Sequence, residues 1–219
     1  MKTNPRSLVK IEKDSVGPKL DVVMFKRIFI SLTAMQKGFK DGCRPFICVD
    51  GCHLKGSYGG VLLAVVALDR DNGLFLLAYA VVECECKKNW RFFLYHLRTI
   101  IDNGPQSKPR TIMSDGQKGI EPALKEVTPE ATHRRCCRHL FNNFKSKFPG
   151  LKLRGSFWAV ARAYTEKDYN IVMRQIEEMP KPAYKWLNDL KLEVWARHTF
   201  DPRVKSNHIT SNMVESFNN

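Results

Sequence analysis

The chain has 219 residues, 43% of them hydrophobic and 26% charged, which allows one sizeable core and excludes a disordered tail. Its formal net charge is +14 and its pI is about 9.6, so the expected partner is a polyanion. The charge is unevenly placed, because residues 131–165 contain eight Lys or Arg and no Asp or Glu.

Nothing in the sequence predicts a membrane span or a secretory signal. The longest apolar runs, 61–68 and 74–82, fall well short of the roughly 20 residues that cross a bilayer. The N-terminus has no apolar stretch of the kind that a signal peptide needs. Seven cysteines make an odd set, which favours reduced thiols in an intracellular compartment.

The first 42 residues are predicted to form a basic lead-in and then one helix that packs on the core. Within residues 21–35, apolar residues recur at 22, 25, 28, 29 and 32, which is helical spacing. The elements expected next are a strand ending at Asp50, a Gly-rich turn at 55–60, and strands at 61–68 and 74–83. The Asn72-Gly73 pair predicts a hairpin between the last two strands.

The second half alternates helix and strand before it becomes helical. The expected elements are a helix at 89–101, a break at 103–109, a strand ending at Asp115, a helix at 117–127, a short strand at 132–137, and a helical region at 141–204. Thr165 begins a capping-box pattern within that region. Three antiparallel strands followed by alternating helices and strands are the element order of a ribonuclease-H-like α/β sheet, although periodicity also allows other mixed folds.

Three acids stand where chemistry is expected. Asp50 and Asp115 each follow a short apolar strand, in Phe46-Ile-Cys-Val-Asp50-Gly and Thr111-Ile-Met-Ser-Asp115-Gly, and Glu215 lies near the C-terminus. Asp-Gly is also a common turn pair, and Asn212-Met-Val-Glu215 also fits a helix capping box. Carboxylates that converge from neighbouring strands repel unless a cation lies between them, and Mg²⁺ takes such oxygen ligands.

The residues around the acids resemble the transposase domain of Mutator-like elements (MULE), of the plant type, from about residue 40 to the end. The motifs that carry the resemblance are Asp50-Gly-Cys-His-Leu-Lys-Gly-Ser-Tyr-Gly-Gly60, Ala80-Val-Val-Glu83 with Asn89-Trp90, Ser114-Asp-Gly-Gln-Lys-Gly119, His133-Arg-Arg-Cys-Cys-Arg-His139-Leu, and Asn212-Met-Val-Glu-Ser-Phe217.

This resemblance implies a ribonuclease-H-like mixed sheet with an all-α lobe, at about 141–204, inserted before the last catalytic helix. It also implies that Asp50, Asp115 and Glu215 are catalytic residues that bind two Mg²⁺ or Mn²⁺ ions. The implied activity is cleavage of double-stranded DNA at transposon terminal inverted repeats and joining to target DNA. A nuclear location and a homo-oligomeric transposition complex are implied as well.

A competing interpretation is a domesticated relative that binds DNA and regulates transcription without cutting it. We expect an N-terminal segment, 1–42, and a catalytic core, 43–219. Because the chain ends four residues after Glu215, we also expect it to be a fragment of a longer protein.

Cys136 and His139 form a Cys-x-x-His pair that recurs in the family. With His133 they could hold zinc, but structural zinc normally takes four ligands from two spaced pairs, so we expect instead a wall of the active site. The basic stretch predicts DNA phosphate contacts, since Lys and Arg bind phosphate without reading sequence. The residues expected to make these contacts are Arg134, Arg138, Lys145, Lys147, Lys152 and Arg154.

Overall fold

The structure, a computed structural model, describes residues 4–15, 23–102, 110–178, 180–204 and 206–211. These residues form a seven-stranded mixed sheet and seven α-helices, which confirms the α/β class. The strands are β1 Leu8–Ser15, β2 Val23–Ser31, β3 Cys43–His53, β4 Val61–Asp69, β5 Leu74–Val82, β6 Thr111–Ser114 and β7 Thr132–Arg135. The helices are α1 Thr33–Gly42, α2 Lys87–Ile101, α3 Ile120–Val127, α4 Cys137–Lys147, α5 Leu151–Arg162, α6 Glu166–Glu177 and α7 Lys181–Asn188.

The strands lie in the order β1-β2-β5-β4-β3-β6-β7. Neighbours from β1 to β3 are antiparallel, whereas β6 runs parallel to β3, and β7 runs parallel to β6. Parallel neighbours need a long crossover connection. Helix α2 lies in the connection that leads to β6, and α3 lies in the one that leads to β7.

The helix predicted over 21–35 is wrong for residues 23–31, which form strand β2, whereas 33–35 begin helix α1. The buried residues of β2 alternate at Arg27, Phe29 and Ser31, which is the period of a strand with one face inward. Arg27 and Ser31 are polar, so the pattern of hydrophobic residues in the sequence does not reveal this alternation. Their polar groups are satisfied by other elements: Arg27 pairs with Glu12, and the Ser31 hydroxyl donates to the Leu77 carbonyl over 2.8 Å.

The central elements follow the sequence predictions closely. Strands β4 and β5 and helix α2 form where apolar periodicity places them, whereas β3 continues past its predicted end at Asp50 to His53. In the β4–β5 hairpin, Asn72 adopts a φ of 65°, a left-handed conformation that Asn tolerates well. Thr165 caps α6, since its hydroxyl accepts a hydrogen bond from the Asp168 N–H at 3.1 Å. The predicted break at 103–109 lies outside the described residues.

The central strands of the sheet are buried on both faces. Helices α1, α2 and α3 cover one face with a cluster that includes Phe39, Trp90 and Leu124. The opposite face carries a smaller cluster in which Phe46, Cys48 and Met113 from the strands meet Cys136 and Val204. Alternate residues of β3 therefore point into different clusters, which fixes the register of the strand.

Helices α4 to α7 build a third cluster, separate from the two that flank the sheet. Its largest fully buried side chains are Phe144, Phe157 and Trp195. Phe144 and Phe157 pack with ring centres 5.4 Å apart, and Trp195 stacks on Phe157 at 5.8 Å. No α-helix in the described part of the chain is both long and apolar enough to span a membrane.

Arg134 ties β7 to the chain that follows α7. The side chain is buried, and its guanidinium donates to the carbonyls of Glu193 and Ala196 over 3.0 and 2.6 Å. Its Cζ atom also lies 4.1 Å above the ring centre of Phe200. Burial lowers the pKa of Arg134 to about 10, so the group remains cationic at neutral pH.

Replacing Arg134 with Met should lower the free energy of unfolding by about 2–3 kcal/mol. Met fills much of the space, but the carbonyls of Glu193 and Ala196 would lose a charged donor. Urea denaturation measures the change. The control Lys145→Met, at an exposed position, should alter stability by less than about 0.5 kcal/mol. Equal effects of the two substitutions would contradict a structural role for Arg134.

Candidate active site at one edge of the parallel strands

Asp50 lies in β3, three residues before the strand ends, and Asp115 directly follows β6, the parallel neighbour of β3. β3 and β6 pair with Phe46 opposite Thr111 and Cys48 opposite Met113. Continuing that register by two residues sets Asp50 opposite Asp115. Both aspartates are half-buried, although the residues just before them are buried. The pairing therefore brings two predicted site residues to one edge of the sheet, where solvent and a ligand can reach them.

The alternation along β3 and β6 places both aspartates on the same side of the sheet as Cys136. Asp50 has the same strand parity as Phe46 and Cys48, which belong to that cluster. Burial, then Cys136 and then Asp50, raise the pKa of the Cys48 thiol well above its ordinary value. Cys48 is thus a neutral group between the acid edge and Cys136.

The turn after Asp115 depends on two glycines. Gly116 has a φ of +81°, a conformation that strains other residues, and the Asp115 carboxylate accepts a hydrogen bond from the Gln117 N–H over 3.0 Å. At Gly119, a Cβ atom would lie 3.0 Å from the backbone at Cys86 and Lys87. The motif that carries Asp115 therefore lets the start of α2 approach this turn closely.

That approach brings a further carboxylate, Glu85, near the strand edge, on the face of β3 that carries Ile47 and Val49 and opposite the face of Asp50. A Cβ atom on Gly51 would meet the Glu85 carboxyl at 3.0 Å, so Glu85 packs directly against the residue that follows Asp50. The indole N–H of the fully buried Trp90 donates to Glu85 over 3.1 Å. Burial and then the charge of Asp115 raise the pKa of Glu85 above its ordinary value near 4.5.

Sequence reasoning missed Glu85 and gave weight to Glu83, two residues earlier. Spacing does not separate the two acids, since both follow strand β5 and precede α2. A usable signal is the Asn89-Trp90 pair, because both side chains turn back toward this segment. Asn89 donates to the Cys84 carbonyl over 2.8 Å, and Trp90 binds Glu85.

Cys136 links the strand edge to the C-terminal segment. Its N–H donates to the Ser114 carbonyl over 2.8 Å, and its sulfur accepts from the Ser211 N–H over 3.2 Å. Burial raises the pKa of the Cys136 thiol, but hydrogen bonds with His139 and Ser211 outweigh burial and lower that pKa overall. The Cys-x-x-His pair thus holds residue 211 beside the end of β6.

His133 supports the same edge from β7. Its ring nitrogen Nε2 and the Ser114 hydroxyl share a hydrogen bond of 2.9 Å, and that hydroxyl also accepts from the Gly116 N–H over 3.3 Å. Burial is the main cause that lowers the pKa of His133 to about 4. His133 is therefore neutral at physiological pH and stabilises the residue before Asp115.

Carboxylate oxygens of Asp50 and Asp115 are the donors that Mg²⁺ and Mn²⁺ prefer. Among the described residues, no group of three or more His, Cys, Asp or Glu side chains lies close enough to hold a metal ion. Glu215, the third predicted ligand, lies outside these residues, as does its capping-box alternative. All seven cysteines are free thiols.

The basic residues predicted to contact DNA divide into two groups. Arg134 is buried, and its guanidinium binds protein carbonyls and Phe200, so it is not available to a phosphate. The other five are exposed on α4 or α5: Arg138, Lys145, Lys147, Lys152 and Arg154.

The fold and site define a basic α/β protein with a carboxylate pair at one edge of its sheet. Residues 46–143 match the family model described as the MULE transposase domain, which confirms the resemblance seen in the motifs. The chain is also 23% identical over 212 residues to the transposase for insertion sequence element ISRM5 of Rhizobium meliloti (strain 1021). That alignment covers 88% of this chain and 50% of the relative, so the chain spans about half the length of the curated relative. Residues 46–143 of this chain are therefore similar to a MULE transposase domain.

Replacing Glu85 with Gln should preserve or raise stability at neutral pH. A raised carboxyl pKa means that ionisation destabilises the folded state, so the gain should vanish as the pH falls toward the ordinary value near 4.5. Gln keeps an acceptor for the Trp90 indole. Glu85→Ala leaves that buried N–H unpaired and should cost roughly 1–3 kcal/mol. Urea denaturation of both variants at several pH values checks this; equal stability of the two would contradict the Trp90 bond.

The low pKa of His133 predicts acid sensitivity. Between pH 6.5 and about 4 the unfolded chain binds a proton that the folded chain does not. Stability should therefore fall as the pH falls through this window, by roughly 3 kcal/mol at most.

The matched variant is His133→Gln, which can keep a hydrogen bond to Ser114 without a titrating ring. The difference in unfolding free energy between wild type and variant should be constant above pH 7 and shift against wild type below pH 6. Parallel pH profiles would show that His133 does not contribute.

Proposed function

We propose that this chain is the catalytic domain of a DNA transposase that cuts and joins strands at transposon ends. The observation that carries the proposal is the pairing of β3 with β6, which sets Asp50 and Asp115 at equivalent positions of neighbouring parallel strands. The MULE transposase domain match and the similarity to an insertion-sequence transposase support the same reading. The proposed metal-binding set is Asp50, Asp115 and Glu215.

The course of the C-terminal segment supports the inclusion of Glu215. Ser211 is anchored to Cys136, which is itself bonded to the Ser114 carbonyl next to Asp115. Glu215 follows Ser211 by four positions in the sequence, and four residues of chain span at most about 14 Å. This short length of chain is the reason for including Glu215 in the proposed set.

The fold proposed for this domain is ribonuclease-H-like, with a helical lobe inserted before the segment that bears Glu215. Its support is the element order: three antiparallel strands, then two parallel strands separated by α3, then helices α4 to α7 with their own apolar cluster. The proposed core begins near residue 43, but β1 and β2 extend the same sheet. The N-terminal segment therefore stabilises the core as part of its sheet.

Each residue of the proposed site has a physical task. Asp50 and Asp115 would supply carboxylate oxygens to Mg²⁺ or Mn²⁺, and the Gln117 N–H and the two glycines of the turn hold Asp115 in place. The bound metal would activate the attacking water or 3′-hydroxyl and stabilise the leaving oxygen. Cys136 and Ser114 keep the C-terminal segment beside the strand ends.

The test is metal-dependent nicking of duplex DNA that carries the terminal inverted repeats, by this chain and by a form extended past residue 219. Asp50→Asn, Asp115→Asn and Glu215→Gln should each lower the rate at least about 100-fold, because a catalytic metal contributes several kcal/mol and each 1.36 kcal/mol is tenfold. DNA affinity and circular dichroism should be preserved. Full activity of any one variant would remove that residue from the set.

The matched control is Asp71→Asn, which removes a carboxylate from the β4–β5 turn. That turn lies at the opposite end of the sheet, since Asp50 pairs with Ala64, five residues or about 17 Å along β4 from Asp69. The control should cleave at the wild-type rate. DNA binding without any cleavage by the extended wild type would favour the domesticated, non-cutting relative.

A further inference from the structure

A cleft lined by four arginines lies on the helical part of the chain. Its volume is about 550 Å³, and its guanidinium groups come from α4, α5 and the turn after α7, at Arg138, Arg154, Arg162 and Arg197. The opposite wall is the segment 207–210. None of the described residues that line the cleft is acidic. A second cleft, of about 670 Å³, continues along the outer face of α5 and shares Arg154 and Arg162.

Two of the arginines are held by aromatic rings. The Cζ atom of Arg162 lies 5.1 Å from the ring centre of Trp158, and that of Arg197 lies 4.0 Å from the ring centre of Tyr164. A stacked guanidinium contacts the ring with its face and keeps its N–H donors at the edge. In the described structure the buried Nε of Arg197 has no hydrogen-bond partner. These ring contacts therefore hold the two guanidinium groups in a defined orientation at the cleft.

The size and charge of the cleft fit a polynucleotide backbone. Arginine forks bind phosphate with two parallel hydrogen bonds. Arg154 and Arg162 stand eight residues apart on α5, a separation of about 12 Å along the axis. One strand carries a phosphate about every 3.4 Å, so this length matches roughly three or four nucleotides. The half-buried Trp158 packs on Phe141 with ring centres 5.5 Å apart, so we assign it to supporting Arg162.

The same C-terminal segment borders the cleft and the acid edge. Residues 207–210 line the cleft, and the Ile209 carbonyl accepts a hydrogen bond from the Cys137 N–H over 2.8 Å. One residue further, Ser211 binds Cys136 beside the end of β6. A DNA strand that runs from the cleft along this segment would approach Asp115.

We propose that the arginine cleft binds the phosphodiester backbone of the DNA strand that leads to the Asp50 and Asp115 edge. The proposal rests on the proposed transposase function for the role of that strand. It adds Arg162 and Arg197 to the residues that the basic stretch predicts, and it omits the buried Arg134. Recognition here is of phosphates and carries no base sequence.

The test is fluorescence anisotropy in EDTA with a labelled duplex of about 30 base pairs, at salt from roughly 50 to 200 mM. The variant Arg154→Gln/Arg162→Gln removes two exposed guanidinium groups from the cleft. The control Lys167→Gln/Lys181→Gln removes the same charge from exposed positions on α6 and α7. We expect the arginine pair to weaken binding at least about tenfold and to reduce the log affinity against log salt slope by about 1.8.

The lysine pair should change affinity by less than about twofold, since it leaves the cleft intact. An unaltered slope in the arginine pair, or equal weakening in the two pairs, would overturn the proposal. So would an acidic peptide that binds as tightly as the duplex and depends equally on these arginines, because that result assigns the cleft to a protein partner. EDTA removes divalent ions, so a failure of nicking would reject the proposed function and leave this binding result standing.

Discussion

The parallel pairing of β6 against β3 is the constraint on which the candidate site depends. It is a short ladder, with Thr111, Ile112 and Met113 opposite Phe46, Ile47 and Cys48, yet it fixes both the alignment and the facing of the residues that follow. A slip of one residue would turn Asp115 to the other face of the sheet, since side chains alternate along a strand. Ile112 belongs to the apolar cluster on one face of the sheet and Met113 to the cluster on the other. A slip of one residue would move each side chain out of its own cluster, so the packing on both faces opposes it.

The helical part of the chain is coupled to this pairing by a small set of polar contacts. Arg134 binds carbonyls beyond α7, and Cys136 bonds both to Ser114 and to Ser211. Residues 207–211 are therefore held between the third apolar cluster and the strand ends. The arginine cleft and the acid edge are consequently neighbours through one segment of chain, even though they belong to different parts of the fold.

Charge is separated in a way that suits a polyanionic substrate. The acids gather at the end of β3 and β6, where Asp115 raises the pKa of Glu85 in addition to burial. The arginines gather on α4, α5 and the turn after α7. Under the proposed function, the positive charge would attract a phosphate backbone over roughly a Debye length, and the carboxylates of Asp50 and Asp115 would favour a divalent cation between them.

The sequence by itself determined the central strands, the hairpin at Asn72-Gly73 and the resemblance to a MULE transposase domain, and it predicted the approach of Asp50 and Asp115. These follow from local signals: apolar runs with strand or helix period, turn residues, and the rule that parallel strand ends meet at one edge.

Tertiary structure alone decided three features. β2 is a strand with a polar inner face because Glu12, Asn89 and the Leu77 carbonyl satisfy it. Arg134 is buried because carbonyls more than fifty residues away accept its protons. Glu85 packs against β3 next to Asp50 because the absence of a side chain at Gly51 and Gly119 leaves room for the start of α2, a packing contact that no single segment encodes.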